Sequence, residues 1–440
     1  MEIPATLDEA YDLLYRQYLA ARRPGPDARV RHPEWTDRLL DRLGRPDRAF
    51  PVLMVTGSKG KGSTALYLAT ILEAHGFRVG YFSSPHLLDH RERIRLNRRA
   101  IPAPALLDVL RRLAPALAAL QRRMPADQYI GPVGILAAAA ALWFADQAVD
   151  VAVFETGRGA RFDDVARVRH EGAVLGPVLH EHRAELGPTL ADVAWHKAGV
   201  VRPETAWAVA AAQPVLLRAL RRQAAGRPVL TDARWRVASL TYGADGIRFV
   251  LTDEGGEGHH ARLPVLAPWG ADNARRALLA ARRWLGPSFD WAAALAALRH
   301  ARLPGRAELL PTEPRILLDG AVRRESAALL VEAARGAGLL PGRAVAVVGV
   351  PADKDWEGVA GIVAPWAPVL FARAANPRLA WPPHPERAVP GSRAVDSFAA
   401  AWDLIRASRP LPDVVLVLGT QSFVADVLAH LAPERVLDLT

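Results

Sequence analysis

The sequence predicts an α/β protein in two parts: a P-loop doubly wound parallel sheet domain, followed by a smaller Rossmann-like α/β C-terminal domain. Three observations lead there. PVLMVTG (51–57) is a short apolar run that ends in glycines and opens a helical pattern. Strand and helix patterns then alternate through VDVAVFETG (149–157) and AWAVAA (206–211), as parallel sheets require. After ARLPGRAELLP (301–311), rich in chain-breaking proline and glycine, the alternation starts afresh.

In chain order, an amphipathic helical start leads into strand 51–57. STALYLATILEAHG (63–76) has helical spacing with Gly76 as its stop, and RVGYFSS (78–84) reads as the next strand. The alanine-rich stretch 134–147 is a buried helix. Strands follow at 149–157, at AVLGPVL (173–179) and at 206–211. Short alternating pieces with glycine turns predict a small antiparallel insertion near 228–266. Helices at 271–285 and 290–300 precede a boundary near 302, so the expected domains are 1–301 and 302–440. The second contains RILLDG, a helix at 324–337, RAVAVVGV, a helix, VLFARA, a helix at 396–408, VVLVLGT and a closing helix.

A chain of 440 residues is too long for one ordinary core. Half its residues are hydrophobic and 23% are charged, a globular balance. No uncharged apolar run is long enough to cross a bilayer, and the N-terminus carries acids where a leader would carry basic and then apolar residues, so a soluble, cytoplasmic protein with no membrane contact is expected. The absence of cysteine excludes disulfides, thiolate metal sites and cysteine nucleophiles. The net charge of +10 is spread over scattered arginines, which argues for anionic small molecules and against nucleic acid. Lysine occurs only at positions 59, 61, 197 and 354, and asparagine only at 97, 273 and 376. Where arginine serves as the generic cation, a retained lysine marks a place that needs an amine.

The strongest local signal is VTGSKGKGST. Glycines between a strand and a helix let backbone N–H groups converge on phosphate oxygens where the helix dipole is also positive. Gly57, Ser58, Lys59, Gly60, Lys61, Gly62, Ser63 and Thr64 are therefore read as a nucleotide cradle. Lys61 would reach the β- and γ-phosphates, with Ser63 or Thr64 near magnesium. The glycine directly after Lys61 departs from the usual P-loop pattern, and a plain glycine-rich turn is the competing reading. Glu155 ends an apolar strand beside a second glycine loop, where ligands gather in such sheets. Its alternative is a loop carboxylate paired with Arg158 or Arg161.

TGSKGKGS resembles the T-G-T-N-G-K-G-S loop of folylpolyglutamate and dihydrofolate synthases in the Mur ligase superfamily. SSPHL (83–87), ERIRLN (92–97), FETGRGARFD (154–163) and LHEHRAELGPTLADVAWHKAGVVRP (179–203) resemble further segments of that family in the same order. So do DNARRAL (272–278), LPGRAELL (303–310), ILLDGA (316–321) and ADKD (352–355), and all four lysines fall inside these segments. The resemblance implies ATP as substrate and two magnesium ions held by Ser84, Glu155, His182 and a carbamylated Lys197. It implies that Arg306 and Asp319 reach ATP phosphate and ribose from the C-terminal domain, with Asn273 approaching from the first. Lys61, Lys197, His182 and Arg306 would then be catalytic. For Arg306, Asp319 and Asn273 the structural alternatives are a linker charge, a strand-end cap and a helix N-terminal cap.

The chain departs from the family pattern at named places. D-G-A-H-N is DGAVR, with Val322 and Arg323 for the histidine and asparagine. H-Q-x-x-N is WGADN, with Trp269 and Gly270, and D-H is Glu181-His182. Phosphate and metal chemistry is kept, and the adenosine and organic-substrate side is changed. The expected activity is an ATP-dependent carboxylate–amine ligase working through an acyl phosphate, on a small acid and an amino acid or amine, in a monomer. Two other classes compete: a nucleotide-binding partner protein without ligase activity, and a P-loop ATPase or kinase with no use for the Lys197 segment.

Overall fold

The computed structural model describes residues 4–440. Eight strands form the first sheet: β1 (Val52–Thr56), β2 (Val79–Phe82), β3 (Ile94–Leu96), β4 (Arg99–Ala100), β5 (Val151–Glu155), β6 (Gly172–Leu175), β7 (Trp207–Ala210) and β8 (Val229–Thr231). Their order is β4-β3-β2-β5-β1-β6-β7-β8. The strands from β2 to β8 in this order pair in parallel, and β3 and β4 are added at the β2 edge by antiparallel pairing, so only β3 is reversed. Every residue of β1 and β5 is buried, because helices cover both faces, and this is why their sequences read as unbroken apolar runs. The chain winds outward from β1 in both directions, so the loops after β1 and β5 diverge at a switch point. Val55 lies beside Glu155 in the parallel register, which brings the first glycine loop next to the carboxylate at the end of β5.

The expected antiparallel stretch 228–266 divides in two. Val229–Thr231 extends the parallel sheet beside β7 after the crossover helix Pro214–Ala224. Only β9 (Arg236–Gly243), β10 (Gly246–Thr252) and β11 (Gly258–Leu263) form the antiparallel sheet. A three-residue strand is too short to display a period, which is why the sequence does not separate it.

The third sheet has β12 (Glu308–Leu310), β13 (Arg315–Asp319), β14 (Ala344–Gly349), β15 (Val369–Ala372), β16 (Arg393–Val395) and β17 (Val414–Gly419), in the order β12-β13-β17-β14-β15-β16. It is parallel apart from β12. The two edge strands, three residues each, are additions to the strands expected from sequence. The C-terminal tail returns to the first sheet, where buried Arg95 donates to the carbonyls of Val436 and Leu437, and Ala100 N–H to Leu437 O at 2.8 Å. No helix among the described residues is long and apolar enough to cross a membrane.

Candidate active site

The glycine loop after β1 is shaped by contacts that only glycine permits. At Gly57 (φ +145°) a Cβ would lie 2.9 Å from the Gly176 Cα, and at Gly60 (φ +76°) it would lie 2.2 Å from Asn273 Oδ1. Ser58 anchors the bend, its N–H donating to Pro177 O at 2.9 Å and its Oγ accepting from Leu179 N–H at 3.0 Å. Helix Lys61–Ala74 begins at Gly60 with no side-chain cap and no acid in its first turn. Its free amides and positive dipole end face the crevice, the arrangement that binds phosphate.

Two of the four lysines meet on one atom. Lys61 Nζ donates to Gly57 O at 3.0 Å, and Lys197 Nζ donates to the same carbonyl at 2.8 Å from 140 residues away. Lys197 projects from helix Leu190–Ala198, whose start is fixed by a Thr189/Asp192 capping box, and it is only 1% exposed. Its ammonium pairs with Glu181 Oε1 at 3.0 Å. Burial, helped by the Lys61 charge and opposed by Glu181, brings the Lys197 amine down to about 8. Burial pushes the Glu181 carboxyl up, but Lys197 and Lys61 outweigh it and hold the group below its ordinary range. A lysine on a solvated helix face would show none of this.

Glu155 is buried at the end of β5, over Gly62, where a Cβ would lie 3.4 Å from its Oε2. Burial raises its pKa, against the opposing charge of Lys61 and a hydrogen bond of 3.1 Å from Ser84 N–H. The alternative pairing does not occur. Arg158 bonds Asp27 and Glu185, while Arg161 donates to Trp195 O and Gln223. Thr156 Oγ1 donates to Thr56 Oγ1 at 2.9 Å, and Thr56 Oγ1 donates to Gly159 O at 3.0 Å, tying the two loops together at the switch point.

The C-terminal part closes the other side. Leu303 Cδ2 is 3.2 Å from where a Cβ would stand on Gly62. Asp319 ends β13, accepts from Ala307 N–H at 2.7 Å, and is pushed up to about 6 by burial, with Arg306 opposing. Arg306 acts electrostatically on both Asp319 and Glu155. Asn273 is the fifth residue of helix Trp269–Leu285, not its cap, and its buried Nδ2 has no hydrogen-bond partner. A polar group buried against a phosphate-type loop without a partner is an atom awaiting one.

Gly57–Thr64, Ser84, Glu155, Lys197 and Asn273 thus gather around one loop, with Arg306 and Asp319 beside them. Ser84 meets Glu155 through its backbone N–H. His182 stands in left-handed conformation (φ 47°) next to Glu181; burial lowers its pKa, and its ring bonds none of the other expected ligands among the described residues. Glu181, which the sequence shows only as a departure beside His182, was not among the expected site residues, and it is the carboxylate that pairs with Lys197. Arg93 is a second residue at the site that was not expected. It is buried beside Glu155, its Nε donates to His86 Nδ1 at 2.8 Å, and its Nη1 has no partner.

No family model matches the chain. A probable bifunctional folylpolyglutamate synthase/dihydropteroate synthase of Haloferax volcanii is 32% identical across 88% of this chain and 47% of its own length, so this chain spans about half of that relative. A dihydrofolate synthase/folylpolyglutamate synthase of Bacillus subtilis is 31% identical, aligned over 67% of this chain and 70% of its own. The chain belongs to the folylpolyglutamate/dihydrofolate synthase family. Within that family, the Mycobacterium tuberculosis folylpolyglutamate synthase complexed with ADP and AMPPCP superposes with a TM-score of 0.82 at 25% identity, over 96% of this chain and 98% of that one. The family fold therefore runs through all three sheets.

Proposed function

We propose that the chain is an ATP-dependent carboxylate–amine ligase that works through an acyl phosphate. The observation that carries this is the convergence of Lys61 and Lys197 on the Gly57 carbonyl. A simple ATPase loop needs the first lysine and has no use for the second. A substrate carboxylate oxygen attacks the γ-phosphorus, the bond to ADP breaks, and an acyl phosphate results. The neutral amine nitrogen then attacks the acyl carbon, the carbon–oxygen bond to phosphate breaks, and the proton lost from nitrogen leaves with inorganic phosphate or to solvent. Lys61 and Arg306 neutralise oxygens that gain charge in both transition states, and positioning supplies most of the remaining catalysis.

The site suits magnesium. Glu155 is a buried carboxylate that accepts one backbone hydrogen bond and leaves oxygen lone pairs free. Ser84, Glu155, His182 and carbamylated Lys197 would hold the two ions, which supply charge neutralisation between ATP and the acyl phosphate. Carbamylation joins the neutral Lys197 amine to the carbon of CO2 and releases a proton. The lowered amine pKa enlarges the share of the neutral, reactive form near neutral pH. The product anion would stand beside Glu181 and needs a cation there, so carbamylation and metal binding support one another.

The relatives' names point to a pteroate or folate acid and to glutamate as the amine. The changes at Trp269, Gly270, Val322 and Arg323 favour an altered acid within that class. Release of ADP in the presence of magnesium should require both a carboxylic acid and an amine. ATP turnover with neither substrate would replace the ligase reading with an ATPase, and nucleotide binding without turnover would leave a binding protein.

A further inference from the structure

The two parts of the chain are joined at two places. One is covalent, the linker 301–307 that leads into β12. The other is not. After helix Gln421–Leu431 the chain turns through Pro433–Val436 and lays 437–440 along the edge of the first sheet, beside β4. There Ala100 N–H donates to Leu437 O at 2.8 Å, Leu439 N–H donates to Arg98 O at 3.3 Å, and Arg99 faces Asp438 in an antiparallel bridge. Val436 and Leu439 are buried.

Side chains fasten this segment on both sides. Arg98 Nη1 reaches Leu439 O at 3.1 Å, while its Nε donates to Glu73 Oε2 at 2.8 Å, in the last turn of the helix that the phosphate loop opens. In the C-terminal part, Arg435 Nη2 donates to Glu308 Oε1 at 2.6 Å. The other oxygen of Glu308 accepts from Gly305 N–H, in the linker, at 3.0 Å. One buried carboxylate therefore holds linker and tail together. Arg95 completes the joint. Its guanidinium is buried, and its hydrogen bonds among the described residues go to backbone carbonyls, of Arg98 on its own hairpin and of Val436 and Leu437 on the tail. A buried charge is tolerated only when acceptors surround it. Two of these three come from the tail, so undocking the tail would strand the cation.

A body joined to another by one flexible linker can turn about any axis through that linker. A second fixed point leaves only rotation about the line through both. We propose that segment 435–439 is a second hinge point, with Arg95 as its positioning residue. It stays docked as nucleotide binds and confines the C-terminal part to one axis, so that Arg306 and Asp319 meet the loop by one path. The hinge rests on hydrogen-bond geometry, and what its rotation delivers rests on the nucleotide-site reading above.

The chain has no cysteine, so Arg99→Cys with Asp438→Cys places its only two thiols across the antiparallel bridge. Residues opposed in this way lie about 4.5–5.5 Å apart at Cα, within reach of a disulfide. Both side chains are largely exposed, so the replacements disturb no core. Undocking is produced by Arg95→Met and, independently, by Leu439→Ser, which acts from the tail and leaves the sheet intact. Two quantities are read in the full chain. The first is hydrogen exchange at the amides of Gly305 and Gly320, which bond Glu308 and Gly305 O and close the linker turn. The second is calorimetric affinity for ADP.

Either undocking change should speed linker exchange and weaken ADP about tenfold, as the competent orientation falls to about a tenth of the population. Adding the oxidised cysteine pair should restore both, and reduction should lose both again, a reversal that general damage to the fold would not show. In the otherwise unchanged chain, the oxidised pair should bind ADP within about twofold of wild type. Loss of ADP binding on oxidation alone would mean that the tail must detach, and overturns the hinge. Unchanged linker exchange on undocking overturns it too, as does unchanged ADP affinity or a loss that the disulfide does not restore. If exchange follows docking as expected but even the wild-type chain does not bind ADP, the hinge stands and the nucleotide site fails.

Discussion

The nucleotide loop and the N-terminal flank of the site are built on opposite plans. The loop is eight contiguous residues, Gly57–Thr64, whose shape comes from glycine backbone geometry and whose charge comes from two lysines. The flank is assembled from pieces far apart in sequence. Arg158 grips Asp27 at 2.6 Å, Arg31 reaches Asp163 at 3.4 Å and Asp164 at 3.7 Å, and Thr36 donates to Asp164 at 2.7 Å. These bonds pin the segment around 27–36 over the loop that follows β5. A phosphate cradle must present the same amides to the same ligand, so its chemistry is written locally. A flank held to the loop after β5 needs only charge pairs that close, and many sequences can supply them.

The largest effect should come from the loop. Lys61→Ala removes a cation from the transition state while breaking one hydrogen bond, to Gly57 O. Turnover should fall by ~10²–10³-fold with the fold intact, as for removal of a preorganised charge-stabilising donor. Wild-type ADP release in that variant would remove the loop from the reaction. The flank should fail differently. Arg31→Ala leaves the nearly buried Asp163 and Asp164 without their cation, which should cost about 3 kcal/mol of stability in urea unfolding. A change below ~0.5 kcal/mol would show that Thr36 and the neighbouring amides already satisfy both acids. Gly60→Ala tests the loop's backbone. A left-handed residue with a Cβ aimed at Asn273 should lose about 1–2 kcal/mol, and adding Asn273→Ala should return part of it. If the second change returns nothing, the cost is dihedral alone.

The same contrast explains what could be read from sequence. The central strands were legible because β1 and β5, covered on both faces, must be apolar throughout. The loop was legible because glycine and a rare lysine have few other uses at the end of such a strand. Three-residue strands such as β8, β12 and β16 leave no periodicity to find. The flank was not legible because nothing local relates Asp27 to Arg158 or Arg31 to Asp164. Glu181 illustrates the middle ground. Its position beside His182 was visible, yet its pairing with Lys197 depends on a helix whose packing only the fold defines.

The most specific effect, spread over a pH range and not seen at one pH, concerns Asp319. Burial holds its carboxyl up at about 6, against an ordinary value of 3.8. The folded protein therefore binds more protons than the unfolded chain between these two values, so stability falls as pH rises through that window and stays reduced above it. The cost of ionising this buried group is on the order of 2–3 kcal/mol. Asp319→Asn should remove that slope, so the variant gains stability relative to wild type as pH rises from about 4 to about 6.5. Function should run the other way. If the ionised carboxylate is what holds Arg306 and the ribose, nucleotide affinity should fall as pH drops through about 6 in the wild type and remain weak and flat in Asp319→Asn. Titration of the nucleotide itself is common to both proteins and cancels in the ratio of their affinities. A ratio that does not change with pH would mean that Asp319 serves only to hold Ala307, leaving Arg306 to act without it.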